Sequence, residues 1–115
     1  MKKIYHLATC STCQRIIKEL KPSRDVILQD IKTEKITPAQ LEEMHQLAGS
    51  YEALFSRVAL KYRAMGLNSV KLTEKDYRKY ILEQYTYLKR PVIVIKDKIF
   101  IGNSKKTVEA AKQII

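Results

Sequence analysis

The sequence predicts an α/β domain built on a four-stranded mixed β-sheet, and three observations predict it. The chain opens with a short apolar run, a polar loop and an apolar-faced helix, followed by a second apolar run. Near its end lies Val92-Ile93-Val94-Ile95, a continuous β-branched stretch of the kind that buried strands require. Between these ends, about residues 36–86 carry helix caps and helical apolar spacing.

Taken in order, Lys3 to Leu7 reads as a first strand and Ala8-Thr9 as a loop. Ser11 or Thr12 is suited to cap a helix with Ile16, Ile17 and Leu20 on one face, and Pro22 stops it. Asp25 to Ile31 reads as a second strand. A strand, helix and strand in succession imply a crossover between parallel strands. Thr37 with Pro38 and Gln40 then forms a capping box before a helix carrying Leu41, Met44, Leu47 and Ala48, with Gly49 as its stop. Tyr51 to Met65 reads as helical with a break, closed by Gly66. Thr73 caps a further helix with Tyr77, Tyr80, Ile81 and Tyr85 on a face. After the buried strand, Asp97-Lys98 turns the chain so that Ile99-Phe100-Ile101 pairs antiparallel with it. Gly102-Asn103-Ser104 leads into a last helix carrying Val108, Ala111 and Ile115. The order is β-α-β, helical insertion, β-β-α. A thioredoxin-like sheet has this order, with its core in about residues 1–35 and 87–115 and an insert in about 36–86. Another α/β sandwich is the alternative.

The length of 115 residues suits one domain with a core of its own. No apolar run approaches the roughly 18 residues of a membrane helix. Met1 to Leu7 lacks the apolar region and cleavage site of a signal peptide, so the expected compartment is the cytoplasm. The formal charge is +10, from 22 Lys and Arg against 12 Asp and Glu. That balance admits oxyanions, acidic proteins or nucleic acid as partners. The basic residues are spread along the chain and no nucleic-acid motif accompanies them, which argues against direct nucleic-acid binding.

Cys10 and Cys13 are the only cysteines. A zinc site usually needs four ligands, and only His6 and His45 add to them, so no metal is expected. In a reducing compartment, C-x-x-C at a strand-to-helix junction points to redox chemistry. Helix N-terminal N–H groups and the helix dipole favour a negative sulfur on the first cysteine. One turn on, Cys13 is placed to attack a mixed disulfide on Cys10. The bland alternative is a pair of cysteines used as small hydrophobes. His6, four residues before Cys10, either tunes the thiol or is a strand histidine bonded to backbone. Pro91 opens the buried strand. In thioredoxin-like folds a proline there is cis and faces the cysteine loop, so Arg90 is expected in the same cleft, stabilising a thiolate or holding an oxyanion.

Together these residues resemble the arsenate reductase and Spx family. The resemblance rests on Tyr5-His6, Cys10-Ser11-Thr12-Cys13, Leu54-Phe55 with Tyr62-Arg63, Leu88 to Val94, and Ile101-Gly102-Asn103-Ser104, and it spans the whole chain. It implies that Cys10 is the nucleophile on arsenate, that His6 influences its ionisation, and that Arg90 binds the oxyanion. It also implies that no cofactor is bound and that the reductant is an external thiol, glutathione with glutaredoxin or thioredoxin. Two departures stand out. The arginine that the resemblance implies for the insert falls near Ser56-Arg57, one position off. A third arginine, due after the last strand, is replaced by the Gly102-Asn103-Ser104 region. Arg57 and Arg63 are candidate anion ligands, with Lys105 a further substitute. Cys13 stands where many arsenate reductases of this type have serine, which draws the chain toward Spx. Spx proteins are redox-sensing regulators that bind the RNA polymerase α-subunit partly through an insert glycine, and Gly49 lies near that place. The sequence therefore leads to a monomeric, arsenate-reductase-like oxidoreductase. An Spx-like regulator and a general thiol–disulfide oxidoreductase are the alternatives.

Overall fold

The computed structural model describes residues 2–57, 63–66 and 70–115. The chain folds into two compact units, one of Met1–Lys35 with Arg90–Ile115 and one of Ile36–Lys89.

The first unit carries the sheet. Its strands are β1 (Lys2–His6), β2 (Val26–Asp30), β3 (Val92–Ile95) and β4 (Lys98–Ile101), and its helices are α1 (Ser11–Leu20) and α4 (Lys105–Lys112). The spatial order is β2-β1-β3-β4. β1 and β2 run parallel, with His6 opposite Asp30, while β3 lies antiparallel to both β1 and β4. The mixed four-stranded sheet is the one that the element order predicts. β3 is buried along its whole length, as its β-branched run requires at the centre of a sheet. Period-2 alternation divides the strand residues between faces. Ile4, Ile93 and Ile95 join Ile16 and Leu20 of α1 and Val108 and Ala111 of α4 in one apolar cluster. Each such large, fully buried side chain contributes about 1.5–3 kcal/mol.

β2 departs from simple alternation. Val26 and Gln29 are buried, whereas Ile27 and Leu28 are about half exposed on this edge strand. Gln29 resolves its own burial by donating from Nε2 to the carbonyl of Glu34 at 3.0 Å.

The second unit contains α2 (Pro38–Ala48) and α3 (Glu74–Glu83). The α2 capping box forms as its sequence predicts, Thr37 accepting from the Gln40 N–H, and Gly49 ends the helix at φ 90°. Thr73 and Asp76 make the same reciprocal pair at the start of α3. The helical reading of Tyr51 to Met65, which included a break, is corrected around Phe55. Glu52–Leu54 forms a single 3₁₀ turn, and Phe55 leaves it extended to bridge Leu88. The Ser56 N–H donates to Tyr87 O at 2.7 Å and the Lys89 N–H to Leu54 O at 2.8 Å. Pairing between segments distant in the sequence overrides local helical preference here. Residues 58–62, including Tyr62, lie outside the described residues, and Arg63-Ala64 is helical before the turn at Gly66. Phe55 also sits between Tyr77 and Tyr87, with ring centroids 4.8 and 5.2 Å away, so the unit closes around packed aromatic rings.

Candidate active site

Cys10 itself is the N-cap of α1, with φ −89° and ψ 114°, and no side-chain cap bond is made there. This corrects the expectation that Ser11 or Thr12 caps the helix. Both lie inside it, Ser11 exposed and Thr12 half-buried. The change has a chemical consequence. An N-cap side chain is aimed at the unsatisfied N–H groups of the first turn. The side chain at that position is here a thiol in place of the usual hydroxyl or carboxylate.

Burial works against a charge on Cys10, yet its pKa lies below the ordinary thiol value. The backbone N–H groups of Cys13 and Thr12, the Cys13 thiol and the charge of Arg90 outweigh the burial. Cys13 behaves in the opposite way. Fully buried, it is pushed up to about 11, with the Cys10 sulfur adding to the rise. The pair therefore sorts itself into a low-pKa sulfur that is partly accessible and a buried, high-pKa thiol.

Arg90 is half-buried and precedes buried Pro91 across a cis peptide bond. Its charge is felt by both sulfurs. The Pro91 carbonyl accepts from the Gly102 N–H at 3.0 Å. Gly102 has φ 90°, a backbone region that favours glycine.

His6 ends β1. The charged partner that the structure gives it is Asp30, opposite it in β2. Burial lowers the His6 pKa and the Asp30 charge only partly opposes that. Its carbonyl accepts from the Ile31 N–H at 2.9 Å, while its Nδ1 is buried and finds no hydrogen-bond partner among the described residues. Asp30 accepts from the Ala8 N–H at 3.3 Å and the Lys32 N–H at 3.2 Å. Sequence reasoning missed Asp30. Its position at the end of the second strand was legible, but its bond to the cysteine loop depends on strand pairing.

The candidate anion ligands fare differently. Arg57 donates from Nη2 to Glu52 Oε2 at 2.7 Å and to Tyr77 Oη at 2.8 Å, and its guanidinium lies 5.5 Å from the centre of the Tyr77 ring. The open cleft of about 390 Å³ beside it is lined by Glu52, Lys71, Glu74 and Tyr77 among others. Carboxylates balance its cations, so size alone does not make it an anion site. Arg63 is exposed at the turn closed by Gly66. Lys105 opens α4 and, with Arg15, Glu19, Asn103 and Glu109, lines a shallow cleft of about 210 Å³.

Among the described residues no group of three or more His, Cys, Asp or Glu is placed to hold a metal ion. Nor is any described helix long and apolar enough to cross a membrane.

Comparison with known proteins follows the same line. The family model described as the ArsC family matches residues 5–111. Comparison with curated proteins gave no match. An arsenate reductase from Vibrio cholerae superposes with a TM-score of 0.78 at 16% identity, covering 99% of this chain and 97% of that one. An arsenate reductase related protein from Brucella melitensis gives 0.73 at 22% identity, covering 95% and 92%. A protein from Staphylococcus aureus gives 0.73 at 23% identity, covering 96% and 97%. At these identities the superpositions establish a shared fold. The family match runs unbroken from the end of β1, through the cysteine helix and the insert, to α4, and on that evidence this thioredoxin-like chain belongs to the ArsC family.

Proposed function

We propose that the protein is a thiol oxidoreductase of the arsenate-reductase type, with Cys10 as nucleophile. The observation that carries this reading is the division of labour at α1. Cys10, the N-cap of the helix, ionises more readily than an ordinary cysteine, while the buried Cys13, raised to about 11, stays protonated. A lowered thiol pKa beside a guanidinium is what attack on an anionic centre requires. Family membership and the arsenate reductase from Vibrio cholerae among the structural relatives support arsenate as the substrate.

The Cys10 thiolate displaces an oxygen of arsenate, which leaves as water, and an S–As(V) bond forms. Arg90 offsets the negative charge that gathers on the oxyanion. A second thiolate then attacks the Cys10 sulfur. The S–As bond breaks with its electron pair going to arsenic, which departs as arsenite, and the two sulfurs join in a disulfide. At pH 7 a thiol with a pKa of about 11 is ionised in roughly one molecule in 10⁴. An external thiol such as glutathione is therefore the second nucleophile in this reading. Glutaredoxin or thioredoxin then reduces the resulting mixed disulfide, and the Cys10 thiol is restored.

The regulator alternative rested on Cys13, which completes C-x-x-C, and on Gly49. That glycine has a sufficient local reason in the left-handed C-cap of α2. General disulfide exchange by the C-x-x-C pair remains the second reading, because the same thiol asymmetry suits it.

The test is arsenate-dependent NADPH oxidation, coupled through glutathione and glutaredoxin or through thioredoxin. Turnover is expected in the wild type and abolished in Cys10→Ser. Absence of turnover with every reductant, alongside reduction of a glutathione mixed disulfide, would reject arsenate in favour of general thiol exchange.

A further inference from the structure

The loop before Cys10 is held by two side chains from different elements. At Ala8 the backbone N–H donates to Asp30 Oδ1 at 3.3 Å, and the carbonyl accepts from Gln14 Nε2. Asp30 closes β2 and Gln14 lies in the first turn of α1. Ala8 is exposed, and backbone groups of an exposed loop are ordinarily left to water. Here both peptide groups of one residue are taken by side chains. The loop is closed on itself as well, since the Cys10 N–H donates to Leu7 O at 2.9 Å.

Asp30 is held in turn. The Lys32 N–H donates to Oδ1 at 3.2 Å and Thr33 Oγ1 approaches Oδ2 at 3.4 Å, while the Glu34 N–H donates to the Asp30 carbonyl at 2.8 Å. The carboxylate is thus fixed from its own turn and reaches across to the neighbouring loop. The parallel register that sets His6 opposite Asp30 puts it within that reach.

We propose that Asp30, assisted by Gln14, is a positioning residue for the reactive thiol: by clamping Ala8 it holds the loop that seats Cys10 over the first-turn N–H groups of α1. This rests on the reading of Cys10 as the reactive thiol. The donors of Thr12 and Cys13 lower the charge cost at Cys10 only while the sulfur stays at the N-cap. A loop free to swing would carry the sulfur away from them.

The sign of the effect separates this role from a simple charge effect. The Asp30 carboxylate is negative, and a nearby negative charge disfavours a thiolate. If charge alone mattered, removing it would make Cys10 ionise more readily. The clamp predicts the reverse for Asp30→Ala. Asp30→Asn deletes the charge but keeps an oxygen to accept from Ala8.

The experiment is the pH profile of Cys10 alkylation by iodoacetamide on the full chain, followed with thiolate absorbance in the far ultraviolet. Cys10→Ser serves as the control and thermal unfolding is recorded for each variant. Asp30→Ala is expected to shift the profile to higher pH and to slow alkylation at neutral pH about fivefold, the factor matching one lost hydrogen bond. Gln14→Ala should shift it in the same direction, and Asp30→Asn should stay close to wild type. An unchanged or lowered profile in a folded Asp30→Ala protein overturns the proposal. So does an Asp30→Asn profile that follows Asp30→Ala. Should Asp30→Ala fail to fold, Gln14→Ala and Asp30→Asn decide the matter alone. Rapid alkylation persisting in Cys10→Ser would instead strike at the choice of nucleophile, leaving the two failures distinguishable.

Discussion

The two compact units use their arginines in opposite ways. In the sheet unit, the half-buried Arg90 lies within electrostatic reach of Cys10 and Cys13. In the insert, Arg57 pairs with Glu52 at 2.7 Å and leans on Tyr77. The distribution of charge follows the same division. The sheet unit carries 14 Lys and Arg against 6 Asp and Glu, a net +8, whereas the insert carries 8 against 6, a net +2. The unit that holds Cys10 and Cys13 is also the unit that holds most of the excess positive charge. The contrast teaches that a candidate arginine is judged by its partners and not by its place in the chain.

The largest effect is expected from breaking this contrast at Arg90. Arg90→Ala should lower oxyanion turnover about a hundredfold, the usual cost of losing one donor to a developing negative charge, and should raise the Cys10 pKa. Steady-state kinetics and an alkylation profile check it. Equal losses in Arg90→Ala and Arg57→Ala would erase the distinction between the units.

Next in size is the pH dependence of stability within the sheet unit. Cys13 is raised in the folded state, from an ordinary value of 9.0 to about 11. Its neutral form is the one that folding favours, so this contribution is complete below about pH 9 and is lost as pH rises through 11. Cys10 is lowered, so its contribution runs the other way and fades as pH falls through its folded value. Urea unfolding of wild type and Cys13→Ala should therefore show a stability gap that narrows as pH rises from about 9 to 11. The difference isolates Cys13 from buried tyrosines such as Tyr87, whose hydroxyl is also pushed up by burial. A gap that stays constant would show that Cys13 burial carries no such penalty.

The smallest effect should come from Arg57→Ala. Its ion pair is about half exposed, and exposed pairs contribute about 1 kcal/mol or less. A slight fall in the melting temperature is expected, with Cys10 alkylation unaltered. A marked slowing of alkylation would bring Arg57 into the reactive site and sharpen the comparison in the opposite sense.

Legibility in the sequence followed the range of the forces involved. The α2 capping box was readable because Thr37, Pro38 and Gln40 act within one turn. β3 was readable because four β-branched residues in a row suit a strand buried on both faces. The cysteine loop was readable as a strand-to-helix junction because an apolar run, C-x-x-C and an apolar-faced helix follow one another. By contrast, Glu52–Leu54 and Phe55 looked helical from local spacing, and the bridge from Phe55 to Leu88 decided otherwise. The cap of α1 was misplaced, since Ser11 and Thr12 are stronger capping types than Cys10. That displacement is what turns the helix N-terminus toward sulfur.

By itself, then, the sequence determined the element order, the mixed sheet, the family, and the placing of Cys10 and Cys13 one turn apart at a strand-to-helix junction. These depend on hydrophobic period, caps and motif spacing, all of which act over a few residues. Only the tertiary structure decided that Arg57 answers to Glu52 and that Asp30 reaches Ala8 across the parallel strands. Hydrogen bonds and charges act over a few ångströms, and which groups come that close is set by chain crossings that no local pattern encodes.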